Sequence, residues 1–325
     1  MRHIFLINPA AGGGKSHDAL TEKIKSACRA RGVDHVIHIT RFAGDATETV
    51  RALCNEASVD CPIRFYACGG DGTLCEVLAG MADCPHAELG LIPCGTGNDF
   101  ARNITPKELL FDIDAQLDGE AVSIDLLYAN ERPCINMINI GFDCEVVCKK
   151  DEYNQRPHFP HKLAYIVGVA ETFFKMPGIR ARISLDGGPM EEQELQLTTM
   201  ANGEFCGGGF HSNPRAALCD GQIDILQILP GSRRTFLRLI GSYKAGTHLD
   251  GDKNAAILNA FKCRSLRMAF DRDQNICIDG DVSQTRELFV EVVPNAVRVV
   301  LPRGCALCRP APAPVEVTVG GGTPC

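Results

Sequence analysis

Gly69-Gly70-Asp71-Gly72-Thr73 is the stretch of this chain most able to do chemistry. An apolar run, Ile63 to Cys68, precedes it and reads as a buried strand; Leu74 to Gly80 follows and reads as a helix. Glycines at a strand-to-helix turn let backbone approach a polyphosphate closely, and the helix N-terminus offers unpaired N–H groups to it. A carboxylate there, Asp71, can hold a magnesium ion. The plainer reading is an ordinary tight turn. Thr73-Leu74-Cys75-Glu76 also has the spacing of a capping box, which predicts that Thr73 caps the following helix.

Two further glycine-rich turns accompany it. Asn8-Pro9-Ala10-Ala11-Gly12-Gly13-Gly14-Lys15-Ser16 follows the strand-like Arg2 to Ile7. Its end imitates a Walker A sequence, but the glycine required six positions before the lysine is Pro9, so a P-loop is rejected on spacing. What remains is a phosphate-approaching loop with Lys15 as a mobile cation. Pro93-Cys94-Gly95-Thr96-Gly97-Asn98-Asp99-Phe100-Ala101-Arg102 is the third turn. Asn98 reads as a helix N-cap, Thr96 offers a hydroxyl, and Arg102 offers a planar cation for phosphate.

The elements that would position these turns alternate. Strand signals at 2–7, 33–40, 63–68 and 89–93 are separated by helical ones at 16–31, 45–56 and after Thr73. This order predicts a parallel sheet with helices on both faces, a doubly wound α/β domain over 1–125, with ligand turns at the strand carboxyl ends. After about Asp125 short alternating runs separated by turns predict an antiparallel β domain over 126–302, interrupted by helices near 161–175 and 233–244. The last strands of that domain are allowed to return to the first one. A Pro- and Gly-rich tail, 303–325, is expected to be disordered.

Composition narrows the class. The chain has 325 residues, long enough for two domains. No apolar run approaches the roughly 18 residues of a membrane helix. The N-terminal apolar segment is too short for a signal peptide and reads as the first strand. Seventeen cysteines, an odd number lying mostly in apolar runs such as those around Cys68, Cys94, Cys134 and Cys277, predict free thiols in a reducing cytoplasm. Cys305 and Cys308 have CxxC spacing without a second pair, which argues against a zinc site. A net charge of −7 gives no support for nucleic-acid binding. Locally, Lys149, Lys150, Arg156, Lys162, Lys175, Arg180 and Arg182 outnumber the acids, which suits either a solvated helix face or an anionic surface.

Taken together, the three turns resemble the diacylglycerol-kinase catalytic family, which includes bacterial soluble lipid kinases and sphingosine and ceramide kinases. Gly207-Gly208-Gly209, Pro214, Asp220-Gly221 with Asp224, and Asp279-Gly280-Asp281 extend the likeness through the second half. The resemblance implies an α/β nucleotide domain joined to a β-sandwich domain, with ATP as co-substrate, Mg²⁺ as cofactor and a lipid hydroxyl as acceptor. It places the nucleotide on Asn8, Pro9, Ala10, Ala11, Gly12, Thr40, Gly69, Gly70, Asp71, Gly72, Thr73, Glu76 and Thr96. Asp71 would act on the catalytic magnesium. Lys15, Arg102 and Lys162 would face phosphate or lipid. A structural magnesium would sit at the Asp220 carboxylate and the carbonyls of Ala217 and Gln222. The family's base is a glutamate in Asp-Gly-Glu; here that position is Asp281, a carboxylate one methylene shorter.

The resemblance further implies a cytoplasmic enzyme working peripherally at the inner membrane face in phospholipid synthesis, with diacylglycerol the first acceptor expected. The basic 149–182 stretch and the apolar Leu163 to Val169 and Phe173-Phe174 would face the bilayer. A homodimer is left open. An NAD-kinase-like enzyme shares the Gly-Gly-Asp-Gly-Thr motif, but the Gly95 to Arg102 segment favours the lipid side. A nucleotide-binding lipid sensor that has lost turnover is the non-enzymatic alternative, supported by Asp281 alone.

Overall fold

A computed structural model describes residues 1–13, 17–82, 84–157, 159–176, 178–251 and 254–309, with the side chains of His161 and Lys162 left aside. The N-terminal half runs β1 (Arg2–Ile7), α1 (His17–Arg31), β2 (His35–Ile39), α2 (Asp45–Cys54), β3 (Ile63–Gly69), α3 (Asp71–Gly80) and β4 (Ala87–Pro93). These strands pair in parallel in the order β4-β3-β1-β2.

Strand periodicity decides which helix covers which face. Ile4, Leu6, Phe65 and Ala67 point to one side and pack with Ala46 and Val50 of α2 and Leu74, Val77 and Leu78 of α3. Phe5, Ile7, Tyr66 and Cys68 point to the other and pack with Ile24 and Cys28 of α1. Burial on both faces is why these strands read as continuous apolar runs. The chain leaves β1 for β2 on one side and for β3 on the other, so the crevice of this α/β sheet opens at the carboxyl ends of β1 and β3.

Beyond β4 come β5 (Ile104–Thr105), α4 (Ile113–Leu117), β6 (Glu120–Ala129), β7 (Arg132–Cys134) and β8 (Met137–Gly141). Then follow α5 (Phe142–Asn154), α6 (His161–Lys175), β9 (Ile179–Leu185), β10 (Glu191–Leu195), β11 (Leu197–Ala201), β12 (Ile223–Ile228) and α7 (Arg233–Ala245). The last elements among the described residues are β13 (Leu258–Cys263), β14 (Ser265–Ile278), β15 (Asp281–Leu301) and β16 (Ala306–Leu307). From β6 onward every pairing is antiparallel but one, and the C-terminal half is sandwich-like, with its own core of Ile138, Ile140, Met200, Ile225, Leu266 and Val290 among others.

The exception joins the halves. β15 is 21 residues long, pairs with β14 at one end, and at the other lies parallel to β4 through Val299 and Leu89. A second tie is polar and buried: Asn103 Nδ2 donates to Asn136 Oδ1 at 3.2 Å while Asn103 Oδ1 accepts the Glu204 N–H at 2.8 Å.

Three expectations need correcting. Helix α5 falls where only strand runs and a basic stretch were read. Order continues past 303, because β16 pairs with β5 and the Arg303 N–H bonds the Ala115 carbonyl at 2.8 Å; 310–325 lies outside the described residues. The basic stretch is also largely neutralised, since Lys149 and Arg156 pair with Glu152, Lys175 with Glu171, and Arg180 with Glu194. The sixteen described cysteines are all free thiols. Among the described residues no helix is long and apolar enough to cross a membrane.

Candidate functional site

The three glycine-rich turns meet at the carboxyl edge of the parallel strands. Glycine is required where they touch. A Cβ on Gly95 would lie 2.5 Å from the Gly70 Cα, one on Gly12 2.6 Å from the Cys94 carbonyl oxygen, and one on Gly97 2.8 Å from Asp71 Oδ2. The first turn is shaped by Asn8, whose Oδ1 accepts the Ala10 N–H at 3.0 Å and whose Nδ2 donates to Thr73 Oγ1 at 3.0 Å. Thr40 directly follows β2 beside this turn, its N–H bonded to the Ile7 carbonyl at 2.9 Å. Pro9, Ala10, Ala11 and Gly12 follow Asn8 along the same edge, and Thr96 stands exposed on the third turn.

Helix α3 begins at Asp71, inside the motif, with Gly70 in extended backbone before it. The expected capping box is therefore absent. Thr73 is the third helical residue, buried, and its hydroxyl receives Asn8; Glu76 lies in the second turn. The early start directs the unpaired N–H groups of the first turn into the crevice, where they favour an anion. Asp71 joins the second turn to the third: its Oδ1 accepts the Asp99 N–H at 2.8 Å and the Phe100 N–H at 3.4 Å.

Asn98 does not cap a helix. It adopts a left-handed backbone conformation, and its amide side chain exchanges hydrogen bonds with the Gly95 N–H (3.0 Å) and carbonyl (2.7 Å). Arg102 donates to the carbonyls of Gly97 (3.2 Å) and Gly208 (3.3 Å), and Asp99 accepts the Gly208 N–H at 3.0 Å. Arg102 and Asp99 thus clamp the third turn to the Gly207–Gly209 loop. Burial pushes the Asp99 carboxyl above its ordinary range against the pull of that N–H. Lys15 lies outside the described residues, and Lys162 stands in the first turn of α6.

The Asp279-Gly280-Asp281 turn joins β14 to β15 and lies against α3 at Cys75. Asp279 accepts backbone N–H groups from Ile135 (2.8 Å), Asn136 (3.0 Å) and Met137 (2.8 Å), plus the Cys134 thiol. Its job is to fix the turn; burial pushes its carboxyl up and those donors oppose the shift. Asp281 is left outside, its side chain 70% exposed and its Oδ2 2.6 Å from Arg132 Nη2. Cys75, one helical turn after Asp71, lies within the electrostatic reach of Asp71, Asp279 and Arg132, and burial first, then those carboxylates, hold its thiol well above the usual range. Asp71 and Asp279 thus both lie near Cys75, an inert thiol on α3.

The two magnesium expectations fare differently. Mg²⁺ keeps most of its waters and takes one or two carboxylates plus substrate phosphates, so one carboxylate beside the glycine-rich turns, Asp71, is a sufficient donor for a catalytic ion were one to bind. At the other position the Asp220 carboxylate is already engaged: Oδ1 accepts the Gln222 N–H at 3.1 Å and Oδ2 accepts Lys262 Nζ at 2.6 Å. Ala217 belongs to the same loop before β12. Among the described residues no three His, Cys, Asp or Glu side chains converge as metal ligands.

Sequence reasoning missed Arg132, Asp99, Asn103 and Lys262. Asp99 lies within the third glycine-rich turn and Asn103 just beyond it; the partners of Arg132 and Lys262 are 149 and 42 residues away, and no local pattern marks them.

Comparison with known proteins places both halves of the chain. The sequence profile of the diacylglycerol kinase catalytic domain matches residues 2–129, and that of the YegS C-terminal NAD kinase beta sandwich-like domain matches 136–301. The chain is 32% identical over 316 residues to a Xanthomonas axonopodis pv. citri protein named "Probable lipid kinase YegS-like", covering 90% of this chain and 96% of that protein. A Pseudomonas aeruginosa protein of the same name is 30% identical over 300 residues, covering 90% and 93%. A Bacillus anthracis structure described as a "putative diacylglycerol kinase" superposes with a TM-score of 0.73 at 24% identity, covering 92% of this chain and 95% of that one.

Proposed function

Because the chain belongs to the YegS-like lipid kinase family, phosphotransferases with an alcohol acceptor, we propose that it moves the γ-phosphate of ATP to the hydroxyl of a neutral lipid, with diacylglycerol as acceptor and phosphatidic acid as product. The observation that carries this reading is the convergence of three strand-end turns at Asp71 and Thr73, with the Asp279–Asp281 turn beside the same helix. Phosphoryl transfer asks a protein for little covalent chemistry and much positioning. The Asn8–Gly12, Gly69–Thr73 and Gly95–Gly97 backbones would hold the polyphosphate. Asp71 would hold magnesium, which when bound spreads the charge of the phosphates. Asp281 would take the proton of the lipid hydroxyl.

For Asp281 to do so, its oxygen must reach the acceptor. Its exposure at the crevice mouth suits a substrate that arrives from a membrane, and Arg132 keeps the carboxylate oriented. The exposed Leu163, Ile166 and Phe174 on α6 supply an apolar surface for a bilayer, while Tyr165, Val169 and Phe173 of the same helix pack inward. The enzyme would work at the cytoplasmic face of the membrane.

The test is incubation with γ-labelled ATP, magnesium and dispersed diacylglycerol, monoacylglycerol, ceramide, sphingosine or undecaprenol, with NAD as control. Label in diacylglycerol is the expected result. Label in another lipid corrects the acceptor, and label in NAD alone overturns the lipid reading. ATP binding with no labelled product would favour the sensor.

A further inference from the structure

We propose that Lys262 serves as a built-in cation, its ammonium taking the place that a structural divalent ion would fill at Asp220, so that this loop folds and holds without metal.

Three carboxylates border the loop before β12, from β6, the loop itself and β12. Asp125, 1% exposed, accepts the Gly221 N–H at 2.7 Å and the Asn295 N–H at 2.9 Å. Asp224, 6% exposed, accepts Asn213 Nδ2 at 3.1 Å. Asp220 is 11% exposed at its side chain and, among the described residues, receives one backbone N–H, from Gln222. Asp220 and Asp224 approach the same point, and two carboxylates held that close repel one another unless a cation joins them.

Strand register supplies that cation. β12 and β13 pair with Asp224 directly opposite Lys262. From there the four-carbon stem runs along the pair to the preceding loop. Its ammonium donates to Asp220 Oδ2 at 2.6 Å and to the Arg215 carbonyl at 3.1 Å, and stands 3.6 Å from Asp224 Oδ2. Two carboxylates and a backbone carbonyl are the donors that a hard divalent ion would use. An ammonium offers three N–H groups to such a set and needs no dehydration of a metal aqua-ion. A divalent ion could not share Asp220 Oδ2 with the ammonium without bringing two positive centres into contact. Lys262 and a bound metal are therefore alternatives. This inference does not rest on the kinase reading, because the loop lies outside the phosphate turns.

The experiment is thermal unfolding of the full chain after chelation, without nucleotide, with and without millimolar Mg²⁺ or Ca²⁺. For the wild type a midpoint change under about 1 °C is expected. Lys262→Met keeps the stem and removes the charge; its midpoint should fall in chelator and recover by about 2 °C or more with either ion. Asp220→Asn added to Lys262→Met should erase that recovery. Should Lys262→Met fail to fold, Mn²⁺ electron paramagnetic resonance on the wild type and on Asp220→Asn decides. Identical free-Mn²⁺ signals for the two support the proposal. A bound ion in wild type that Asp220→Asn releases, or a wild-type midpoint that rises with Mg²⁺ and loses the rise in Asp220→Asn, overturns it.

Discussion

Arg132 Nη2 lies 2.6 Å from Asp281 Oδ2, and the two residues come from different strands, β7 and β15, that flank the crevice. The pair is exposed on both sides, so its direct contribution to stability is small, at most about 1 kcal/mol. Its value is orientation of the carboxylate. If Asp281 is the base, Asp281→Asn should lower kcat by about 10²–10⁴ with little change in the KM for ATP. Asp281→Glu should retain activity. A pure KM effect of Asp281→Asn would exclude the residue as base. Arg132→Gln should lower kcat more mildly and leave the thermal midpoint nearly unchanged.

Asp71 has two tasks that substitution can separate. Its Oδ1 accepts the Asp99 and Phe100 N–H groups, which holds the second and third turns together. Asp71→Ala removes that acceptor and leaves a partly buried N–H unpaired, at a cost of roughly 1–3 kcal/mol. Asp71→Asn keeps an amide oxygen for the N–H groups and loses the charge. Both variants should lack activity, whereas Asp71→Asn should unfold near the wild-type midpoint. Near-normal turnover of Asp71→Asn would refute the magnesium role.

The parts legible in the sequence were those that local chemistry enforces. Strands buried on both faces read as apolar runs, and the glycine turns that follow them announce the edge at which ligand would bind. Helix α5 was missed because its buried residues, Phe142, Cys144 and Val146, recur every second position, which is a strand's period, while Cys148 to Asn154 is mostly polar. The start of α3 was displaced because Gly70 and Gly72 read as turn, yet the helix begins between them, and its third residue turns inward to meet Asn8. Arg132, drawn to Asp281, and Lys262, drawn to Asp220, illustrate the remainder. Each is a surface-type residue on a short strand, and only the folded chain shows which distant carboxylate its side chain reaches.

His3 carries a pH dependence of definite sign. It is buried in β1 with Nδ1 3.0 Å from the Tyr66 hydroxyl, and burial, helped by Arg64, lowers its pKa to about 4. Between that value and the unfolded pKa near 6.5 the unfolded chain binds the extra proton, so stability falls as pH falls through this window. The loss reaches about 3 kcal/mol by pH 4. His3→Gln should flatten the acid limb of unfolding free energy between pH 6.5 and pH 4; an unchanged limb would show that His3 is not its source.

Asp143 should act in the opposite sense. Burial raises its carboxyl to about 6, and the Tyr243 hydroxyl donates to Oδ2 at 2.7 Å. Here the folded chain holds the proton between the unfolded value near 3.9 and about 6, so stability is lost as pH rises through that window. Asp143→Asn keeps an oxygen for Tyr243 and cannot ionise. Denaturant titration at pH 8 should find this variant more stable than wild type by about 1–3 kcal/mol, with the gain vanishing below pH 4. A variant less stable than wild type at pH 8 would mean that the ionised carboxylate is the form the fold requires.

Gly95 tests whether contact between the second and third turns is itself the nucleotide site. A Cβ there would lie 2.5 Å from the Gly70 Cα and 2.8 Å from Asn98 Oδ1, and the first of these neighbours is backbone that cannot rotate away. Gly95→Ala must therefore push the third turn off the second and draw Asp99 away from Asp71. A displacement near 1 Å at a positioning site costs on the order of 10²-fold in rate. ATP affinity by calorimetry should weaken at least about tenfold, while the parallel-sheet core, several residues back along β3 and β4, keeps the fold intact. Gly13→Ala, whose Cβ would meet nothing within 4 Å but whose φ is +79°, strains the backbone without displacing a neighbour. It should weaken binding less than Gly95→Ala. Equal losses in the two variants would assign the effect to backbone strain, and unchanged affinity in Gly95→Ala would remove the paired turns from the nucleotide site.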